Sequence, residues 1–301
     1  MQLGVSLEPP RWPAGAGGTV LQTAVRAEQL RFDYLLMSDH VLASEGGATL
    51  DPLVVLSAVA GATGRIRLAT SILALPYRHP LIVAQQAASL DVISGGRFAL
   101  GVGTGWNPEE FAALGLEPRH RGARTDEALT VLRALWSGEP VHHRGRFTTL
   151  DGVRPATTPR AKGGPEVWIG GQSDAALRRA LRFGDGWHGG VSTAAQVHEA
   201  RGRLAALGEE VGRDAGELKL SSVCFLVPPG FEPEVPLPGA PLGGPGASRA
   251  QLLDALGELG AAGLSMVSLW MPFGALRLVE AMEWVAAELL EPLRPVKVIE
   301  G

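Results

Sequence analysis

The sequence predicts a (β/α)8 TIM barrel, the α/β fold in which eight parallel strands, each followed by a helix, close into a cylinder. Short apolar runs alternate with helix-like segments along the 301 residues, an order typical of βα units. Most of these runs are continuously apolar, as expected of strands buried on both faces. Apolar residues make up 46% of the chain, enough for one large core. An open doubly wound sheet is the alternative, but no GxGxxG motif follows the first strand.

The individual elements follow from the spacing of apolar residues. Continuous apolar runs predict eight strands, at residues 2–7, 34–38, 66–73, 98–102, 167–170, 186–189, 218–227 and 266–270. Apolar residues three and four positions apart predict eight helices, at residues 19–30, 52–63, 80–93, 125–136, 173–183, 194–211, 248–261 and 276–289. Ser173 and Ser248 stand where N-caps are expected, and Pro52 and Pro80 stand where a helix can begin.

Two segments exceed a minimal barrel. Residues 140–165, after strand four, are rich in Pro, Gly, Thr and Arg, and we expect a small hairpin there. Residues 228–247, after strand seven, consist largely of Pro and Gly and are too long for an ordinary loop between a strand and a helix. They form either a mobile lid or a surface insertion. We expect residues 1–301 to be a single barrel domain that includes both insertions.

Charge and cysteine content exclude several classes of protein. The net charge is −4, with 27 basic and 31 acidic residues and no basic run, so a nucleic-acid or polybasic membrane partner is not expected. The chain has a single cysteine, Cys224, and no CxxC motif, so we expect neither an internal disulfide nor a metal site. Without a signal-peptide pattern or a long apolar stretch, we expect a cytoplasmic protein.

Titratable residues follow the first two strands, where the active sites of such barrels lie. Strand one leads into Glu8, which either faces the barrel mouth or is an exposed loop carboxylate. Strand two leads into Asp39 and His40, a carboxylate beside an imidazole that can exchange a proton near neutral pH. An Asp that caps a loop and a His that only packs would explain the same pair. The candidate catalytic residues are His40 and Glu8.

Strands four and five end in glycine-rich runs. The first run lets a flat ligand approach the backbone, and its candidate contacts are Val102, Gly103, Thr104 and Gly105. The second run opens a helix, whose N–H groups and dipole attract a phosphate; its candidate contacts are Gly170, Gly171, Gln172 and Ser173. A helix N-cap with nothing bound is the alternative. A serine-hydrolase elbow is disfavoured, because the last glycine of GxSxG is missing.

Taken together, these segments resemble the luciferase-like flavin-dependent oxidoreductase family, and in particular its coenzyme F420-dependent branch. The stretches that carry the resemblance lie in order within about residues 1–190, at 38–40, 68–73, 76–80, 90–98, 101–111, 170–173 and 184–187. The last third of the chain matches only as barrel periodicity.

The resemblance implies a cofactor ring across the barrel mouth. A bulge with a non-proline cis peptide would support the ring, and it falls at Ser71–Ile72. The glycine run 103–105 would line the ribityl side, and Gly170, Gly171 and Ser173 would hold the phosphate. Asp39 would contact the cofactor and orient His40, which would handle the proton.

The resemblance also implies an activity. We expect an F420-dependent oxidoreductase that transfers a hydride between C5 of the deazaflavin and a small organic substrate. A reduced-FMN monooxygenase and a non-catalytic flavin-binding barrel are the alternatives. Some sugar-phosphate dehydrogenases of the family use a glutamate at about the position where this chain has Trp106. We therefore do not transfer the function of that glutamate to Glu109 or Glu110. A homodimer is expected from the family.

Overall fold

The computed structural model describes residues 1–7, 17–42, 50–190, 192–237 and 239–293. Eight parallel strands form a closed barrel: β1 (Gln2–Ser6), β2 (Tyr34–Met37), β3 (Arg67–Thr70), β4 (Phe98–Gly103), β5 (Glu166–Gly170), β6 (Gly186–Gly189), β7 (Lys219–Val227) and β8 (Met266–Trp270). Each strand pairs with the next one in the chain, and β8 pairs with β1, which closes the cylinder. The predicted barrel is confirmed.

Helices surround the barrel: α1 (Gly17–Gln29), α2 (Pro52–Ala62), α3 (Pro80–Ser94), α4 (Pro108–Ala113), α5 (Arg121–Trp136), α6 (Asp174–Phe183), α7 (Ala194–Val211), α8 (Arg249–Ala261) and α9 (Ala275–Val285). A π-helical turn, Ala286–Leu290, and a short helix, Glu291–Leu293, continue α9. The side chains of Ser173 and Ser248 cap α6 and α8, as the sequence predicts. No helix in these ranges is long and apolar enough to cross a membrane.

Two elements differ from the sequence-based expectation. The predicted strand at 66–73 is interrupted: β3 ends at Thr70, and a two-residue strand, Leu73–Ala74, follows after the cis peptide bond between Ser71 and Ile72. The helix α4 was not predicted, because six residues are too few to show a helical period. Its start is encoded locally, since Pro108 follows Asn107, whose side chain accepts a hydrogen bond from the N–H of Glu109.

Both additional segments pack against the barrel. The expected hairpin exists, with Val141–Arg144 antiparallel to Thr149–Val153. Its turn is held by the carboxylate of Glu127 on α5, which accepts backbone N–H groups of the turn. In the second segment, Leu242–Gly243 pairs with the end of β7, so this part of it extends the sheet.

The lower part of the barrel interior is filled by side chains. Tyr34, Leu36, Ala69, Ala99, Trp168 and Met266 form a buried cluster inside the cylinder. The ring centroids of Tyr34 and Trp168 lie 5.3 Å apart. Because the interior is packed here, the space for a ligand lies at the carboxyl ends of the strands.

Candidate active site

A cavity of about 270 Å³ opens at the carboxyl ends of the strands. This volume lies close to the lower end of the range for small-molecule sites, about 300–1,000 Å³. The wall contains both polar and apolar side chains. Its lining residues are Ser38, Asp39, His40, Ser71, Ile72, Ala74, Tyr77, Thr104, Gly105, Trp106, Glu110, Gly170 and Gly171. Eight of the thirteen candidate site residues proposed from the sequence are among them.

The segment after β3 forms one wall of the cavity. The peptide bond between Ser71 and Ile72 is cis, where the family resemblance placed it. The side chain of Ile72 lies against two of the candidate glycines: a Cβ added to Gly103 would be 2.1 Å from Cδ1 of Ile72, and one added to Gly170 would be 2.4 Å from it. Both glycines therefore make room for Ile72.

Gly105 and Gly171 line the cavity in backbone conformations that favour glycine. Their φ angles are +71° and +117°. A Cβ at Gly105 would also lie 2.8 Å from the hydroxyl oxygen of Tyr77. These two positions need glycine both for conformation and for space.

Four of the expected cofactor contacts do not line the cavity. The side chain of Val102 is completely buried in the hydrophobic core, and the Ile72 side chain lies where a side chain of Gly103 would be. The amide of Gln172 donates to the hydroxyl of Ser192 (3.3 Å), and the hydroxyl of Ser173 accepts the N–H of Ala176 (3.3 Å). Ser173 is thus an N-cap at the start of α6. Glu8 lies outside the described residues.

Asp39 is a structural anchor at the end of β2. Its buried carboxylate accepts hydrogen bonds from the guanidinium of Arg78, at 2.5 and 2.8 Å, and from the N–H of Ala74, at 2.9 Å. Arg78 also pairs with Asp51, the N-cap of α2. We expected Asp39 to orient His40, and the structure corrects this, because its contacts fix the segment that follows the cis peptide.

The partner of the His40 imidazole is Glu110, which sequence reasoning did not select. The Glu110 carboxylate is 2% exposed, and its Oε1 lies 3.2 Å from Nδ1 of His40. The same oxygen accepts the backbone N–H of Val41 at 2.9 Å, and Oε2 accepts the hydroxyl of Tyr77 at 2.9 Å. The sequence shows only that two acidic residues, Glu109 and Glu110, stand side by side at the start of α4. In the structure Glu109 is exposed, whereas the short helix turns Glu110 inward.

The hydrogen bonds keep Glu110 charged. Burial raises the pKa of this carboxyl, but the hydrogen bonds from Tyr77 and from the N–H groups of Val41 and Leu42, with the nearby His40, outweigh burial and hold the pKa below its ordinary value. An ionised carboxylate can only accept hydrogen bonds. Nδ1 of His40 therefore carries the hydrogen in this contact.

Two aromatic residues lie near the His40 side of the cavity. The ring of Trp106 contacts His40 edge-on, with centroids 5.9 Å apart, and Trp106 is 74% exposed. The ring of Tyr77 packs edge-on against Phe111 of α4, at 5.1 Å. Tyr77 thereby holds Glu110 by a hydrogen bond and α4 by ring packing.

His188, a second histidine that the sequence did not point to, lies inside the barrel below the cavity. It is buried, and its Nε2 lies 2.8 Å from the hydroxyl of Ser71. Burial lowers its pKa to about 4, so the ring is neutral at physiological pH. Alternate residues of β6 point into the barrel, and this alternation is the sequence signal that would have indicated His188.

Within the described ranges, no cluster of three or more His, Cys, Asp or Glu residues could hold a metal ion.

Comparison with known proteins identifies the family. A family model described as luciferase-like monooxygenase matches residues 1–228. The chain belongs to the luciferase-like monooxygenase family. The match covers the region in which the strand-end motifs lie, so the resemblance inferred from those motifs is confirmed.

Curated relatives of this luciferase-like chain include enzymes named for F420. The F420-dependent hydroxymycolic acid dehydrogenase of Mycobacterium tuberculosis is 32% identical over 211 residues, which is 68% of this chain and 57% of that protein. The chain spans less than two thirds of the length of the curated relatives it matches.

Solved structures share the whole barrel. The monooxygenase RslO1 from Streptomyces bottropensis superposes with a TM-score of 0.82 at 23% identity, over 98% of this chain and 100% of that one. An F420-dependent secondary alcohol dehydrogenase in complex with an F420–acetone adduct gives a TM-score of 0.82 at 19% identity, over 98% and 99%. At these identities the likeness shows the luciferase-like fold.

Proposed function

We propose that this chain is a coenzyme F420-dependent oxidoreductase that transfers a hydride between C5 of the deazaflavin and a small organic substrate. The observation that carries the proposal is a hydrogen-bonded pair, His40 and Glu110, in the wall of a cavity at the barrel mouth. The F420-dependent relative and the F420-dependent fold neighbour support the choice of cofactor.

The cavity residues fit a flat ring that carries a phosphorylated tail. Ile72 offers an apolar surface, and Ser71 and Thr104 supply hydroxyl groups. Gly170 and Gly171 provide a wall without side chains, and α6 begins four residues after Gly170, so that its N-terminus can hold a phosphate. When bound there, coenzyme F420 would supply the hydride chemistry.

His40 is the residue that moves the proton. Because the ionised Glu110 accepts the hydrogen on Nδ1, a ring with a single N–H has its lone pair on Nε2. Nε2 accepts a proton from an alcohol substrate, or returns one to a carbonyl substrate in the opposite direction. The charge of Glu110 then stabilises the imidazolium that forms.

The residues around His40 indicate an uncharged substrate. Trp106, largely exposed beside the imidazole, provides an aromatic surface on which a small organic molecule can pack. None of the described residues that line the cavity is a lysine, so this part of the wall offers no ammonium group for a sugar phosphate.

A reduced-FMN monooxygenase is the second candidate. The family model and the RslO1 fold support it, because FMN also combines a flat ring with a phosphate. A binding titration separates the two candidates. We expect F420 to bind at least about tenfold more tightly than FMN, a difference of about 1.4 kcal/mol. Tight FMN binding with oxygen consumption on addition of reduced FMN would overturn the proposal, and binding of neither would favour a non-catalytic barrel.

From the family resemblance we also propose a homodimer for this chain. Sedimentation of a species of twice 31.5 kDa is expected. A single species of the monomer mass at micromolar concentration would contradict it.

A further inference from the structure

The buried His188 is linked to the cavity through one hydroxyl group. Nε2 of His188 lies 2.8 Å from Oγ of Ser71, a residue that lines the cavity. Nδ1 lies 2.7 Å from Oγ of Ser221 on β7, which is buried. The ring stacks on Trp168, with centroids 5.8 Å apart and an angle of 24° between the planes. Stacking and two hydrogen bonds leave the imidazole one orientation.

A further contact, between Ser221 and Trp187, indicates the direction of the two hydrogen bonds of His188. The hydroxyl of Ser221 also lies 3.2 Å from the carbonyl oxygen of Trp187. A carbonyl can only accept, so the single proton of Ser221 goes to Trp187. In this arrangement Nδ1 of the neutral His188 donates to Ser221, which leaves Nε2 as an acceptor for the proton of Ser71.

We propose that His188 is a positioning residue that commits the Ser71 proton to Nε2, so that the Ser71 oxygen faces the cavity as a hydrogen-bond acceptor. The Ser71 oxygen would accept a hydrogen bond from an N–H or O–H group on the bound cofactor ring or on the substrate. This inference rests on the proposed function only for the identity of the ligand, because the hydrogen-bond directions belong to the ligand-free chain.

The opposite arrangement makes a different prediction. If Ser221 donated to Nδ1, the carbonyl of Trp187 would lose this hydrogen bond, and Nε2–H would donate to Ser71. The Ser71 proton would then point to the cavity as a donor. The two arrangements differ in the tautomer of one histidine, which nuclear magnetic resonance reports directly.

The first experiment measures the tautomer in the protein without cofactor. Two-bond proton–nitrogen spectra of histidine-labelled protein at pH 7 are expected to show the His188 ring protonated at Nδ1 and bare at Nε2, with the signal assigned by its loss in His188→Gln. Should that variant not fold, Ser221→Ala assigns the signal by moving it. A ring protonated at Nε2 would overturn the proposal.

Two neighbouring serines provide a matched pair. Ser221→Ala removes the acceptor for Nδ1–H, so the tautomer is expected to shift towards Nε2–H. Ser222→Ala is the control, because the Ser222 hydroxyl donates to the carbonyl oxygens of Gly190, at 2.6 Å, and Val223, at 3.2 Å, rather than to the His188 ring. A tautomer that does not change in Ser221→Ala, or that changes equally in both variants, would contradict the proposed order of hydrogen bonds.

The second experiment locates the ligand group with Ser71→Ala. If the donor is on the cofactor ring, the dissociation constant for F420 is expected to rise about tenfold, the order of one hydrogen bond. If the donor is on the substrate, the F420 dissociation constant stays unchanged and KM rises by a similar factor. No change in either value would overturn the acceptor role of Ser71. Failure of the wild type to bind F420 would refute the proposed function and leave the tautomer result standing.

Discussion

Oε1 of Glu110 lies 3.2 Å from Nδ1 of His40, although 70 positions separate the two residues in the chain. The contact joins the segment after β2 to the short helix after β4, and Glu110 also accepts backbone N–H groups of Val41 and Leu42. One carboxylate thus fixes both the ring of His40 and the backbone that follows it.

The first prediction tests this carboxylate. Replacing Glu110 by Gln removes the charge and keeps the shape, so His40 loses its preference for the Nδ1–H tautomer. We expect kcat with F420 to fall about tenfold to a hundredfold, within the range of general acid–base contributions. Steady-state kinetics of E110Q measures it. The matched control is Glu109→Gln, because Glu109 is exposed on the same helix, and an equal effect of both substitutions would refute the assignment.

The second prediction concerns the buried ion pair behind the site. The substitution Asp39→Asn removes the buried charge opposite the guanidinium of Arg78, which is 16% exposed, and among the described residues leaves it the ion pair with the more exposed Asp51. Breaking a buried pair from one side costs about 3 kcal/mol or more of unfolding free energy. Urea denaturation measures this loss. Asp51→Asn is the comparison, since Asn also caps a helix, and we expect a loss below about 1 kcal/mol for this exposed pair.

The third prediction concerns a glycine of β4. A methyl group at Gly103 would lie 2.1 Å from Ile72, so Gly103→Ala should displace Ile72 and destabilise the fold by about 1–3 kcal/mol. Gly61 in α2 is the control, because nothing lies within 4 Å of an added Cβ. There alanine should stabilise the helix by about 0.5–1 kcal/mol. Thermal unfolding of both variants reports the sign, and a neutral Gly103→Ala would contradict the contact with Ile72.

The fourth prediction is a pH dependence of stability. The pKa of His188 is lowered by burial to about 4, so between pH 6.5 and pH 4 the unfolded chain binds a proton that the folded chain does not. This group therefore lowers the unfolding free energy as the pH falls through that window, by up to about 3 kcal/mol at the acid end. His188→Gln should lack this component. Urea unfolding of both proteins at pH 7, 5.5 and 4 measures it, and parallel curves would refute it.

The sequence was sufficient for the barrel because its strands are buried on both faces and appear as continuous apolar runs. It also indicated His40, since the carboxyl ends of parallel strands meet at one edge, whereas Ser71 and Ile72 came from the family resemblance; all three line the cavity. It was wrong about Val102. Alternate residues of a strand face opposite sides, so Val102 packs outward while its glycine neighbours, Gly101 and Gly103, pack against the segment after β3.

Glu110 and His188 were missed for another reason. Their partners, His40 and Ser71, lie 70 and 117 positions away in the chain. The spacing of residues within one segment does not show which distant side chains meet. A buried carboxylate and a surface carboxylate also look alike in sequence. The short helix α4 decides between Glu109 and Glu110, and its six residues show no period.

The role of His40 can be measured in a single turnover. Reduced F420 is mixed anaerobically with His40→Ala or wild-type protein and a carbonyl substrate, and the absorbance of the deazaflavin is followed. We expect the variant to bind F420 within about twofold of the wild type, because His40 acts on the proton, and to oxidise it at least about a hundredfold more slowly. An unchanged rate in His40→Ala, with F420 bound, would contradict the proposed mechanism.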